Sequence, residues 1–170
     1  MNTYEFSQSK IFHFGKEEDL LNLKRKLAFW GFKGFSVVFT NGCFDILHLG
    51  HIDYLSKTAD QGKILIVGLN TDLSVKKIKG EKRPLNNEAT RAAVLASLFF
   101  VDAVVLFDED TPYNLIKTIS PDVLVKGSDY KAEEIVGYDI VASYGGKTVT
   151  IDFLDGYSTT SLIEKIKSGV

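Results

Sequence analysis

Val37-Val38-Phe39-Thr40-Asn41-Gly42-Cys43-Phe44-Asp45-Ile46-Leu47-His48-Leu49-Gly50-His51 is the stretch that decides the fold. It opens as an apolar β-branched run, passes through a polar turn, and ends on two histidines three residues apart where a helix begins. Side chains at that spacing project from one helical face. Gly50 between them removes a side chain that would keep a phosphate away from the backbone. A helix start offers free N–H groups and the positive end of a dipole, so such a turn can hold a polyphosphate. The imidazoles add donors that can follow negative charge as it develops.

Outward from this turn, apolar strands alternate with helical patterns. Strands are predicted at 36–40, 63–69, 103–107, 122–126 and 147–153, and helices near 50–60, 72–77, 87–98, 112–119, 133–144 and 159–167. Continuous apolar runs such as Ile64-Leu65-Ile66-Val67-Gly68-Leu69 alternating with helices imply a parallel sheet covered on both faces. The predicted fold class is α/β, a Rossmann-like three-layer fold with a parallel sheet of about five strands. Ligands in such sheets sit beyond the carboxyl ends of the strands, which brings Thr40–His51, Asn70–Lys79, Lys126–Tyr130 and Phe153–Thr160 to one crevice. Before position 36, residues 1–15 read as irregular, and Leu20, Leu23, Leu27 and Trp30 form an amphipathic helix ended by Gly31. Residues 1–35 are therefore set apart as an N-terminal extension, and 36–170 as the main domain.

The chain has 170 residues, enough for one core without disulfides or a structural metal. A formal net charge of -2 and a pI near 5.9 give no surface-wide polyanion footprint, so nucleic acid is not an expected partner and phosphate affinity must be local. One cysteine, Cys43, forms no internal bridge, and the N-terminus lacks the basic start and apolar core of a signal peptide. No apolar run is long enough to cross a bilayer. The expectation is a cytoplasmic protein with no membrane association.

Thr40-Asn41-Gly42-Cys43-Phe44-Asp45-Ile46-Leu47-His48-Leu49-Gly50-His51 resembles the HxGH motif of the nucleotidyltransferase superfamily. The likeness continues through Gly68–Asp72, Ser74–Gly80, Arg83-Pro84, Arg91, Val101-Asp102, Thr111-Pro112, Pro121–Tyr130 and Gly156–Thr160. Together these blocks, in order over most of the chain, resemble the heptose 1-phosphate adenylyltransferases. The resemblance implies transfer of AMP from ATP to D-glycero-β-D-manno-heptose 1-phosphate, giving ADP-heptose and pyrophosphate for lipopolysaccharide core synthesis. It implies a homodimer, and Mg²⁺ held mainly by ATP phosphates, with Asp45 the carboxylate considered for a contact. His48, His51 and Lys76 would be the catalytic residues. Thr40, Asn41, Gly42, Cys43, Phe44, Gly50, Lys126, Gly127, Asp129, Tyr130, Ser158, Thr159 and Thr160 would bind ATP. Asp45, Asn70, Asp72, Arg83 and Arg91 would face the sugar phosphate. No kinase-sized segment accompanies the motifs, which reads as the free-standing form of a unit fused to a sugar kinase in many relatives.

Plainer readings stand beside these. Zn²⁺ would need three or four ligands, and besides carboxylates the histidine pair has only Cys43 and His13 to offer. Cys43 reads as packing, because direct transfer needs no covalent intermediate. Lys77, Lys79 and Lys82 read as solvated charges on the loop 76–87, which could itself close over a ligand. Asp45 and Asp72 could cap helices, Ser158-Thr159-Thr160 could be an ordinary helix start, and Gly127 and Gly156 could be turn residues. The close alternative is glycerol 3-phosphate cytidylyltransferase, a family that usually carries Arg-Thr-Glu-Gly-Ile before its Ser-Thr-Thr. Phe153-Leu154-Asp155-Gly156-Tyr157 lacks that arginine. FAD synthetase and pantetheine-phosphate adenylyltransferase share only the first motif, and a nucleotide-binding sensor without turnover is the reading from another class.

Overall fold

The structure is a computed structural model and describes residues 2–129 and 131–169. Six strands form one sheet: β1 (Ile11–His13), β2 (Val37–Gly42), β3 (Ile64–Asn70), β4 (Ala103–Phe107), β5 (Val123–Gly127) and β6 (Lys147–Ile151). They lie in the order β1-β4-β3-β2-β5-β6, and every pairing is parallel. Between them run α1 (Thr3–Gln8), α2 (Glu17–Phe32), α3 (Leu49–Ala59), α4 (Asp72–Lys79), α5 (Glu88–Ala96), α6 (Tyr113–Ile119), α7 (Tyr138–Ser143) and α8 (Thr159–Ser168).

Alternate residues of the central strands feed two separate cores, which is the pleat expressed as packing. Phe39, Ile66 and Val105 meet Leu23 and Trp30 of α2, Leu115 and Ile116 of α6 and Val141 of α7. Val38, Leu65, Val67 and Val104 meet Tyr54 and Leu55 of α3 and Ala92 and Leu95 of α5. The sheet is thus the middle of three layers, as the apolar runs predicted. Both faces are dry, so the two cores and the ladder hydrogen bonds support one another.

Chain direction across the sheet reverses beside β2. From β2 the chain moves outward through β3 to β4, then returns to place β5 on the other side of β2. A crevice opens where two neighbouring loops leave in opposite directions, here at the carboxyl ends of β2 and β5.

The N-terminal segment differs from its sequence reading. Of the stretch 1–15 read as irregular, the described residues 2–15 are ordered otherwise: Asn2 caps α1, accepting from the Glu5 amide at 2.9 Å, and Ile11–His13 pair with Val104–Leu106 as an edge strand. Three residues are too few for a visible period, so the pattern gave no strand there. Lys10 anchors the joint by donating its Nζ to the Val101 carbonyl at 2.7 Å. Gly31 does not end α2, which runs to Phe32, and the chain turns at Gly34 with φ 67°. Residues 133–144 are a short 3₁₀ turn, Ala132–Glu134, followed by α7 rather than one helical piece.

Ile66 is fully buried at the middle of the sheet. Ile66→Ala is expected to cost about 2–5 kcal/mol, read as a lower urea midpoint at unchanged slope.

Candidate active site

A cavity of about 290 Å³ lies at the carboxyl ends of β2 and β5. Asn41, Gly42, Cys43, Phe44 and Asp45 form one wall, His51 and Tyr54 of α3 another, and Lys126, Gly127 and Asp129 follow β5. Lys79, Arg83, Phe153 and Thr159 complete it. The crevice that the strand assignments required is therefore present, lined by residues from five separate segments.

The two imidazoles stack face to face, centroids 3.9 Å apart and planes 22° from parallel. His48 caps α3 through backbone geometry, and the Phe44 ring meets His51 edge-on at 5.4 Å. Phe44 sits at φ 43°, a left-handed conformation that costs a non-glycine residue free energy and is found where surroundings hold it. Burial and the adjoining His48 ring push His51 down to about 4, against a backbone contact at Ile46. Burial also lowers His48. Both rings are therefore neutral at pH 7 and act as single N–H donors. Their Nδ1 atoms are buried without a partner of good geometry, as is Asn41 Oδ1. Two of these atoms belong to residues of the cavity wall, Asn41 and His51, and the third to the His48 ring stacked behind it, so the polar groups at this end of the sheet are left with bonding capacity that a polar ligand can use.

Positive charge enters from three sides. Lys79 ends α4 and faces the cavity, where its charge acts on both Cys43 and His51. Lys126 is largely buried, donates to the Asn41 carbonyl at 3.3 Å, and burial pulls it to about 8 in spite of Asp129. Thr159 presents the start of α8, whose cap Ser158 accepts from the Ser161 amide at 3.0 Å. The Cys43 thiol lines the cavity, but burial raises its pKa, so it is no ready nucleophile.

Several expected contacts turn inward instead. Arg91 is 2% exposed, and its guanidinium donates to the Cys43 carbonyl at 2.6 Å, the Asn86 carbonyl at 3.1 Å and the Asp72 carboxylate at 2.8 Å. With all three nitrogens engaged it is a staple behind the site, and no face remains for a sugar phosphate. Asp45 accepts from Arg83 Nε at 2.7 Å and from the Leu85 and Asn86 amides at 2.8–2.9 Å. Arg83, Leu85 and Asn86 are thus already fastened to Asp45, although Lys76–Lys82 and Leu85–Asn87 remain exposed to solvent. Thr40 is buried with its hydroxyl 2.8 Å from Tyr54 Oη, and Asn70 is buried, donating to Ser74 Oγ at 2.9 Å. Neither side chain reaches the cavity.

Gly50 is required by packing: a Cβ there would meet Tyr157 Cβ at 2.9 Å and the His48 ring at 3.2 Å. Lys76 is exposed on α4 and does not line the cavity, and Thr160 faces a separate groove with Lys82 and Lys167. Asp72 borders another hollow beside Glu88 and Asp108. Tyr130 lies outside the described residues. His48 and Ser158 share a smaller hollow of about 180 Å³ with Tyr157.

Lys79, read from sequence as a solvated charge, lines the cavity, and Tyr54 and Phe153 are cavity residues to which the motifs gave no role. Spacing carried the signal: Lys79 follows buried Val75 by four residues, Tyr54 follows His51 by three, and Phe153 follows buried Ile151 by two.

A parallel sheet split at β2/β5 with paired imidazoles, cationic side chains and a helix start around one crevice defines a nucleotidyltransferase. Residues 39–165 match the cytidylyltransferase-like family model, and the chain belongs to that family. Among its relatives, a bifunctional protein HldE of Geobacter metallireducens is 57% identical over 134 residues, 79% of this chain and 27% of that protein. Another of the same name from Campylobacter jejuni subsp. doylei is 56% identical over 152 residues, 89% of this chain and 31% of that protein. The chain spans under a third of the length of these curated relatives. The crystal structure of a lipopolysaccharide core biosynthesis protein from Thermoplasma volcanium superposes with a TM-score of 0.62 at 33% identity, covering 72% of this chain and all of that one.

Two outcomes follow from this geometry. Arg91→Ala leaves two carbonyls and Asp72 without a donor and should destabilise the fold by about 2–4 kcal/mol, with Arg91→Lys a poor substitute, as thermal unfolding will show. Because the unfolded chain takes up the His51 proton near pH 6.5 and the folded one only near 4, stability contributed by this group is lost as pH falls between those values. His51→Gln should flatten that part of the stability–pH curve.

Proposed function

We propose that the chain transfers AMP from ATP to a heptose 1-phosphate, with D-glycero-β-D-manno-heptose 1-phosphate as the acceptor, releasing pyrophosphate. The observation that carries the reading is the pair of stacked neutral imidazoles with unpartnered Nδ1 atoms beside Lys79, Arg83 and the α8 start. An acceptor phosphate, with a second pKa of about 6, is already largely dianionic at pH 7, so neither a general base nor a nucleophilic side chain is required. One of its oxygens attacks the α-phosphorus and the bond to the pyrophosphate oxygen breaks. The protein's task is alignment and charge neutralisation. His48 and His51 donate to the phosphates as charge moves to the leaving pyrophosphate, Lys79 balances the approach of two anions with the Asp45-paired Arg83 beside it, and Thr159 receives outer phosphate oxygens on backbone amides.

Mg²⁺ bound to the triphosphate would draw charge from the phosphates. Among the described residues no group of three or more His, Cys, Asp or Glu stands together as a metal site, and the Asp45 oxygens are taken by Arg83 and two amides. That fits an ion held by phosphate oxygens and water rather than by a protein cage.

The sugar is supported by the resemblance of the motifs and by the core-biosynthesis relative. A cytoplasmic location and a homodimer go with the resemblance; no described helix is long and apolar enough to cross a membrane. Glycerol 3-phosphate cytidylyltransferase is disfavoured by the aromatic Phe153 where that family usually carries its arginine-bearing run.

Pyrophosphate release is to be measured with ATP, CTP and GTP crossed against heptose 1-phosphate, glycerol 3-phosphate and phosphopantetheine. ATP with heptose 1-phosphate should be the fastest pair, and turnover only with another acceptor would overturn the assignment. His51→Ala should lower kcat by roughly 10²–10³. Lys79→Ala should lower it far more than Lys76→Ala, since only Lys79 lines the cavity.

A further inference from the structure

Phe153 is a cavity residue that the phosphate chemistry leaves unused. It stands two residues beyond β6 with half its surface exposed (51%), yet its ring lines the active-site wall. The ring is held in place from two sides. Tyr54 lies 5.5 Å away, centroid to centroid, and is itself pinned by the bond to Thr40. Gly127 admits the ring edge: a Cβ at that position would stand 2.2 Å from Phe153 Cζ and 2.3 Å from Cε2. Glycine at 127 is therefore a condition of where the ring sits.

Strand order says which part of a ligand reaches this wall. Lys79 and Arg83 follow β3 and α4, on one side of β2, whereas Phe153 follows β6, two strands away on the other side. His51 and Lys126 lie between. Phosphates belong with the cations, the imidazoles and the α8 start, which also follows β6 but returns toward the cation side, where Thr160 shares a groove with Lys82 and Arg83. An apolar ring offers nothing to a phosphate; it can pack on the C–H face of a sugar, but it stacks most fully on a nucleobase, whose planar π faces are apolar. Asp129, whose Oδ1 flanks the same glycine, adds a hydrogen-bond acceptor beside the ring.

We propose that Phe153 is the platform on which the nucleobase stacks, with Gly127 and Tyr54 setting its position and a purine preferred over a pyrimidine for its larger face. The proposal rests on the nucleotide-transfer reading and names the residue that selects the base end of the nucleotide.

The test is calorimetric binding of ATP and of inorganic tripolyphosphate to the full chain and to Phe153→Ala, Phe153→Trp and Gly127→Ala, with circular dichroism to verify folding. Phe153→Ala should weaken ATP about 5- to 100-fold while leaving tripolyphosphate unchanged. Phe153→Trp should retain ATP affinity, and Gly127→Ala, which displaces the ring without deleting it, should copy the alanine variant. ATP bound equally by wild type and Phe153→Ala would overturn the platform, as would a matching loss of both ligands, which marks a ring that only props the fold. If the wild-type chain itself bound tripolyphosphate but gained nothing from the adenosine moiety, the nucleotide reading would fall instead.

Discussion

The register of β2 against β3 is the constraint on which the rest depends. Val37 opposes Ile64, and the pairing continues in step to Gly42 opposite Leu69. A slip of one residue would turn every side chain to the other face and exchange the contents of two cores. Because both faces are buried, neither exchange is tolerated. The last paired residues, Asn41 and Gly42, are the first residues of the cavity wall. The accuracy of the site is thus inherited from the ladder.

Behind the cavity a second device sets the loops. Arg91 joins the Cys43 carbonyl, the Asn86 carbonyl and Asp72, while Asp45 gathers Arg83 and two amides. Three segments distant in sequence are tied into one rigid frame. Buried charges need partners, and here each charge finds them in the backbone of a neighbouring loop. The same residue types that suggest phosphate binding in a motif thus have an internal use. Lys79 has no such partner and is the cation of its helix end that lines the cavity.

Neutral imidazoles suit this frame. A stacked pair could not both be charged without mutual repulsion, and burial lowers both. They can donate to a developing anion without holding a ground-state charge that would bind substrate and transition state alike. Preorganisation comes from Phe44 and Gly50, one pressing an aromatic edge on His51 and the other allowing Tyr157 to close against His48.

By itself the sequence determined the layers, five of the six strands, and the convergence of the histidine turn, the β5 loop and the α8 start on one crevice. Those follow from periodicity and from the rule that ligands gather at strand carboxyl ends. Tertiary structure decided the rest. Ile11–His13 becomes a strand only because β4 offers an edge, since a three-residue run carries no pattern of its own. Whether Lys76 or Lys79 meets the cavity, and whether Arg91 faces a ligand or the backbone of its own chain, depends on helix phase and on partners many residues away. A motif names the residues; only the packed chain decides which way each of them points.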